Sequence, residues 1–190
     1  PVHTTLFEEM GKVLLALLAV AICHSSIYGV AQPVDSTVRV VLPNDADAQE
    51  YLKAHNQARA KVGVGHLVWN YSLANGASRM VRHQRNLKVC NFANSTSSKY
   101  VIYGMNQLLA GASSMAPSAV VEAWVEEKKY YNYARNSCAP NHKCGVYTQV
   151  VWRKSLELGC AQATCGGDNG GCLTICLYNP GGNYVGQRPY

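Results

Sequence analysis

An α+β fold is predicted for this 190-residue chain, and three observations predict it. Apolar residues recur at helical spacing early in the folded region, while β-branched and aromatic runs crowd its later part. Helices first and strands later argue for helices packed on an antiparallel sheet. The length fits one compact domain, and an apolar share of 48% is ample for its core. The seven cysteines beyond residue 31 argue for a disulfide-stapled, secreted chain.

The N-terminal part stands apart from the fold. Residues 1–9 read as translated upstream sequence, with Met10 as the start. Lys12 then precedes an apolar run over residues 13–22, and Gly29 and Ala31 fit the two small positions of a signal-peptidase site. Residues 10–31 are therefore expected to be a secretory signal peptide. The run is about half the length that spans a bilayer. Residues 32–45 are a lead-in without helical period, and residues 46–190 are the expected domain. Without Lys12, Glu8 and Glu9, 16 basic residues face 9 acidic ones, a net +7. That balance suits contact with acidic polysaccharide or phospholipid, and it is also what solubility asks for. No basic run with interleaved aromatics points to nucleic acid.

The elements follow in order. Asp45 or Asp47 can cap a helix running to about Val62, with Tyr51, Ala54, Ala58 and Val62 on one stripe. Gly63 and Gly65 end it. Asn70 is the N-cap of a second helix that buries Leu73, Ala74, Ala77, Met80 and Val81 and ends near Cys90. Residues 91–100 are polar and Ser-rich, hence a loop. Pro117 suits the first turn of a third helix, with Val120, Val121, Trp124 and Val125 inward and Tyr130-Tyr131 at its end. Residues 146–152, 158–164 and 173–178 read as strands. Residues 166–171 form a Gly-rich turn cluster, and 180–190 a Gly- and Pro-containing tail.

Five blocks carry a resemblance. They are residues 51–59 (YLKAHNQAR), 67–70 (LVWN), 123–128 (AWVEEK), 144–152 (CGVYTQVVW) and 176–190 (CLYNPGGNYVGQRPY). In this order the chain resembles the CAP superfamily of cysteine-rich secretory proteins, in its plant pathogenesis-related class-one branch. The resemblance implies a three-layer α-β-α sandwich with a central antiparallel sheet. It also implies the disulfides Cys90–Cys165, Cys138–Cys144 and Cys160–Cys176. Cys172 matches no family cysteine and is left as a free thiol, either reachable beside the glycine turn or buried as a small apolar residue.

Members of that family hold two histidines and two glutamates in a central cleft that can bind a divalent metal. The matching positions here are Asn94, Met105, Glu127 and Val146, so the set is degenerate. Valine has no lone pair, and one carboxylate cannot make a zinc site, which wants about four N, S or O ligands. Glu127 reads either as the surviving member or as a solvated helix-face charge. His55, His66, His83 and His142 form no HxxxH or HExxH spacing and read as structural or surface histidines. No nucleophile elbow, P-loop or dinucleotide fingerprint is present. No cofactor and no catalysis are expected.

Asn70 and Asn94 begin N-x-S/T sequons. The tail fits the family's released signalling peptide, with cleavage between Asn179 and Pro180 by a processing protease, although Leu177 departs from the preceding pattern. The resemblance thus implies a secreted, monomeric defence-type protein, apoplastic in a plant, acting on microbes through sterol or lipid binding. Met105, Leu108, Leu109 and Met115, on a loop over residues 105–115, are the groove candidates. The alternative is a precursor of the peptide 180–190.

Overall fold

The computed structural model describes residues 45–87, 91–94, 102–111, 114–165 and 171–190. The expected signal peptide, the lead-in up to residue 44, Cys90 and residues 166–170 lie outside them. Helix α1 covers Asp45–Ala60, and Gly63 follows at φ 70°. Strand β1 is Val68–Trp69. Asn70 Oδ1 then accepts from Ser72 N at 2.8 Å and Leu73 N at 3.2 Å, which starts α2, Tyr71–Asn86. Strand β2 is Gly104–Ala110. Pro117 opens α3, Pro117–Val125, which tightens into a 3-10 turn over Glu126–Tyr130. A short hairpin follows, β3 Tyr131–Asn132 with β4 Ser137–Cys138. Helix α4 is Gly145–Val150, and the long strands β5, Glu157–Cys165, and β6, Gly171–Asn179, complete the order.

The main sheet runs β1-β5-β6-β2. It is antiparallel apart from its β1–β5 edge pair, which is parallel. The pleat of β6 sorts its side chains into two cores. Leu173, Ile175 and Leu177 meet Leu73, Ala77, Met80 and Val81 of α2. Cys176 and Tyr178 meet Tyr51, Ala58, Val120, Val121, Trp124 and Val150 on the other side. Helix α2 therefore forms one outer layer and the remaining helices the other, the expected three-layer arrangement. A methyl group at Gly159 would strike the backbone nitrogen of Ala74, so glycine lets α2 lie directly on β5.

Two expectations are corrected. Residues 146–152 are not a strand: Gly145–Val150 is a helix, with Thr148 N bonded to Cys144 O at 2.9 Å and Val151 N to Tyr147 O at 3.2 Å. Its β-branched residues lose only a weak local preference, and Tyr147, Thr148, Gln149 and Val150 are all buried in this form. Nor is 105–115 a loop. Residues 104–110 pair with β6 from Gly104–Tyr178 to Ala110–Cys172.

Candidate functional site

The four positions that the resemblance assigns to the family cleft lie around edge strand β2. The side-chain amide of Gln107 holds Ala93 from both sides, donating to its carbonyl at 2.9 Å and accepting from its N–H at 2.8 Å. That places neighbouring Asn94, which is exposed, beside the strand. Met105 packs against the α2-side core, whereas the next residue, Asn106, points the opposite way and donates to the carbonyl of Val146 at 2.9 Å. Glu127 completes the ring. Its Oε2 accepts from Val146 N at 3.1 Å and Tyr147 N at 3.5 Å.

Glu127 is therefore half-buried and caps the start of α4, which corrects the reading of it as a solvated helix-face charge. A carboxylate suits that place because the first N–H groups of a helix lack partners within it. The donor set does not fit a metal. Val146 and Met105 offer no nitrogen or oxygen, and the one carboxylate already serves two amides. Among the described residues, no group of three or more His, Cys, Asp or Glu could hold an ion.

Beside this ring lies a buried polar network. His55 and Arg59 are fully buried, and Asn106 and Gln149 nearly so. Asn106 Nδ2 donates to the Tyr178 hydroxyl at 3.1 Å. That hydroxyl reaches His55 Nε2 at 2.8 Å, and His55 Nδ1 reaches the Tyr51 carbonyl at 2.7 Å. A carbonyl can only accept, so Nδ1 carries the proton and Nε2 accepts from Tyr178. Burial, with Arg59 nearby, pulls the His55 pKa down to about 4, against the backbone bond to Tyr51 that favours the charged form.

Arg59 spends its fork on four carbonyls: Gly65 at 2.6 Å, Trp152 at 2.8 Å, Ser155 at 3.0 Å and Val150 at 3.2 Å. Burial draws its pKa down to about 10. Sequence reasoning missed both residues as a buried pair. The signal was their spacing, since His55 and Arg59 follow Tyr51 at steps of four on the stripe of α1.

The groove candidates do not share one face. The pleat of β2 turns Met105 toward the α2 side and Leu108 toward the other core, while Leu109 is 38% exposed. Met115 alone of the four lines a cavity of about 490 Å³ between α1, the start of α3 and β5. Tyr51, Trp69, Ala116 and Pro117 also line it, with the exposed Asp47. Its neighbouring polar groups are mostly engaged. Gln162 bonds Met115 N at 3.1 Å and Met115 O at 3.2 Å, and Glu50 holds Ser118 N at 3.1 Å. The Trp69 indole N–H is buried without a hydrogen-bond partner.

Cysteines Cys138–Cys144 and Cys160–Cys176 form disulfides, with S–S distances of 1.99 and 1.97 Å. Cys165 is also disulfide-bonded, while its expected partner Cys90 lies outside the described residues. Cys172 is a free thiol at 1% exposure, which removes the reachable reading, and burial pushes its pKa up.

Both ends of the Asn70 side chain are engaged, Oδ1 in the α2 cap and Nδ2 on Glu157 Oε1 at 3.0 Å. Asn179 Nδ2 donates to the other Glu157 oxygen at 2.6 Å, and these two bonds, Asn179 first, hold the Glu157 carboxyl below its ordinary range. The Asn179–Pro180 bond is cis. Its two sides are tied, because Asn179 O accepts from Leu156 N at 2.9 Å and Pro180 O from Ser155 Oγ at 2.8 Å. The tail then folds back over α4. Gly182 N donates to Gln149 Oε1 at 2.9 Å, Thr148 Oγ1 to Asn183 Oδ1 at 2.6 Å, and Arg153 N to Pro189 O at 2.6 Å.

Comparison with known proteins places this geometry. The model of the CAP, cysteine-rich secretory protein family matches residues 52–178. The STS14 protein of Solanum tuberosum is 53% identical over 143 residues, 75% of this chain and 65% of that protein, so the chain spans just under two thirds of its length. Pathogenesis-related protein 1 of Arabidopsis thaliana is 44% identical over 153 residues, covering 80% of this chain and 88% of that one. Among solved structures, venom allergen-like protein 4 of Schistosoma mansoni superposes with a TM-score of 0.59 at 25% identity, over 77% of this chain and 95% of that one.

Proposed function

The chain belongs to the CAP, cysteine-rich secretory protein family, and on that premise we propose that it is a secreted, non-enzymatic defence protein that binds a sterol or similar lipid. One observation carries the reading. The cavity of about 490 Å³ has Tyr51, Trp69, Met115 and Pro117 among its lining residues. A largely hydrocarbon ligand answers that lining, since aromatic and apolar walls suit it. Of the residues expected to form the groove, Met115 stays, and the site moves from β2 to the cleft between α1 and α3.

The non-enzymatic part rests on the ring around β2. Glu127 is committed to α4, Met105 and Val146 cannot move a proton, and neither offers an oxygen or nitrogen to a divalent ion. Similarity to pathogenesis-related proteins of plants supports the defence role and extracellular delivery.

Titration of the full chain with a fluorescent sterol tests the proposal. Saturable binding is expected. Trp69→Phe, which shrinks the aromatic wall of the cavity, should weaken it severalfold. Met115→Glu should abolish it. Absence of binding above that to heat-denatured protein removes the lipid reading, and micromolar zinc binding by calorimetry removes the non-metal one.

A further inference from the structure

The surface formed by the β3–β4 hairpin, α4 and the tail is charged unlike the rest of the molecule. Residues 128–155 and 180–190 contain seven of the chain's 17 Lys and Arg and no Asp or Glu, while Glu126 and Glu127 just before them serve Lys129 and the start of α4. Three of those cations converge on one cavity of about 420 Å³, lined by Arg153, Lys154 and Arg188 with Trp152, Gln187 and Tyr190. No acidic side chain lines it. Arg153 and Lys154 are exposed.

The cavity is held in shape. Arg188 is oriented by bonds to Tyr133 O at 3.3 Å and Ala134 O at 3.0 Å, and Lys154 Nζ by Gln187 Oε1 at 3.0 Å. Arg153 N fixes Pro189. The lining residue Trp152 is 2% exposed, and its indole N–H has no hydrogen-bond partner. Aromatic rings flank the cations. Tyr133 and Tyr190 stack at 4.7 Å between centroids and 8° between planes, with the Arg188 guanidinium 5.6 Å over Tyr133. Tyr133 is 44% exposed.

From these features we infer that the Arg153–Lys154–Arg188 cleft binds an acidic oligosaccharide whose sugars carry carboxylates. Guanidinium and ammonium groups meet the carboxylates, Arg in a two-pronged geometry. Tyr190, the ring that lines the cavity, meets the carbon-bound hydrogens of a pyranose, as aromatic rings do with other apolar surfaces. A concave cleft receives a chain and not a bilayer. The flanking tail offers one fully exposed aliphatic side chain, Val185, which is too little apolar area to hold a membrane.

A fluorescent oligogalacturonate titrated against the full chain at low salt tests this. Saturable binding is expected, weakening steeply as salt is raised, because the cations are exposed and screened. Arg153→Glu with Lys154→Glu leaves the tail's Arg188 bonds in place and should weaken binding at least tenfold. Lys53→Glu with Lys61→Glu, the same charge change on and just after α1, should alter it less than twofold. A methyl-esterified oligomer should not bind. The inference is overturned if the acidic oligomer fails to bind, if the esterified one binds equally, if both charge-reversal pairs weaken binding alike, or if phosphatidylserine vesicles bind where the oligomer does not. Trp69→Phe should leave oligogalacturonate binding unchanged, so failure here and failure of the sterol reading are told apart.

Discussion

The two faces of the sheet are built on opposite terms. On the α2 face, Leu73, Ala77 and Val81 meet Leu173, Ile175 and Leu177, and the contact is apolar throughout. On the other face, Arg59, His55, Asn106, Gln149 and Ser155 are buried among apolar side chains of α1, α3 and α4. The first face is held by area removed from water, which is non-directional and forgiving of shape. The second is held by hydrogen bonds whose partners cannot be replaced piecemeal. It is also the face where the cavity of the proposed lipid site opens and where Glu127 meets the first amides of α4. Polar residues there specify one arrangement of α4, the tail and the loop after α1.

The sharpest way to break this contrast is Arg59→Leu. It strands four carbonyls, at Gly65, Val150, Trp152 and Ser155, and each unmet buried acceptor costs about 1–3 kcal/mol. A loss above about 4 kcal/mol is expected in denaturant unfolding, and a loss under about 1 kcal/mol would mean that water replaces the guanidinium.

Acid probes the same face next. The folded pKa of His55 is about 4, below its ordinary 6.5, so the unfolded chain binds the extra proton between those values. Stability is full above pH 6.5 and falls as pH drops through the window to about 4. At about 1.4 kcal/mol per unit, the loss is about 3 kcal/mol. Unfolding free energies measured across that range should show the slope in the wild type and not in His55→Phe.

Smaller effects sharpen the contrast. Thr148→Val keeps the side-chain volume but removes the donor to Asn183 and Cys144, and should cost about 1.5 kcal/mol. Limited proteolysis should find residues 180–190 loosened, an outcome the same change would not produce if the tail were held by packing alone. Ile175→Val on the apolar face deletes one methylene and should cost about 1 kcal/mol, with no change in tail protection. If the two conservative swaps cost the same and loosen the tail alike, the faces do not differ in kind.

Much of the apolar face was legible in the sequence, and much of the polar face was not. Helix α2 shows because its buried residues recur at helical spacing behind an asparagine cap, and β5 and β6 show because they are long and apolar. Helix α4 was misread because VYTQVV favours a strand locally, while the forces that bend it are distant in sequence. The Cys138–Cys144 disulfide closes the loop before it, and Glu127 meets its first amides. Strand β2 is hard to read from sequence because Gln107 and Asn106, the residues that tie it to Ala93 and Val146, give it a polar look. The short β1 and the β3–β4 hairpin left no periodic signal in two-residue strands.

The resemblance assigns four positions to the family's cleft, but nothing in the sequence tells what their side chains touch. Nothing in EEKKY says that the second carboxylate faces an amide 19 residues on. Likewise His55 reads equally as structural or surface, and the burial of Arg59 is not evident, until the partners of both are seen.

The Arg59 fork ties α1 to segments as far as 96 positions away, so the link cannot close until the chain is almost wholly assembled. It also cannot open in part without exposing a cation and several acceptors together. Amide protons of α1 and of residues 150–155 should therefore exchange with deuterium at a shared, slow rate, as a single cooperative unit, while those at the tip of the β3–β4 hairpin exchange independently and sooner.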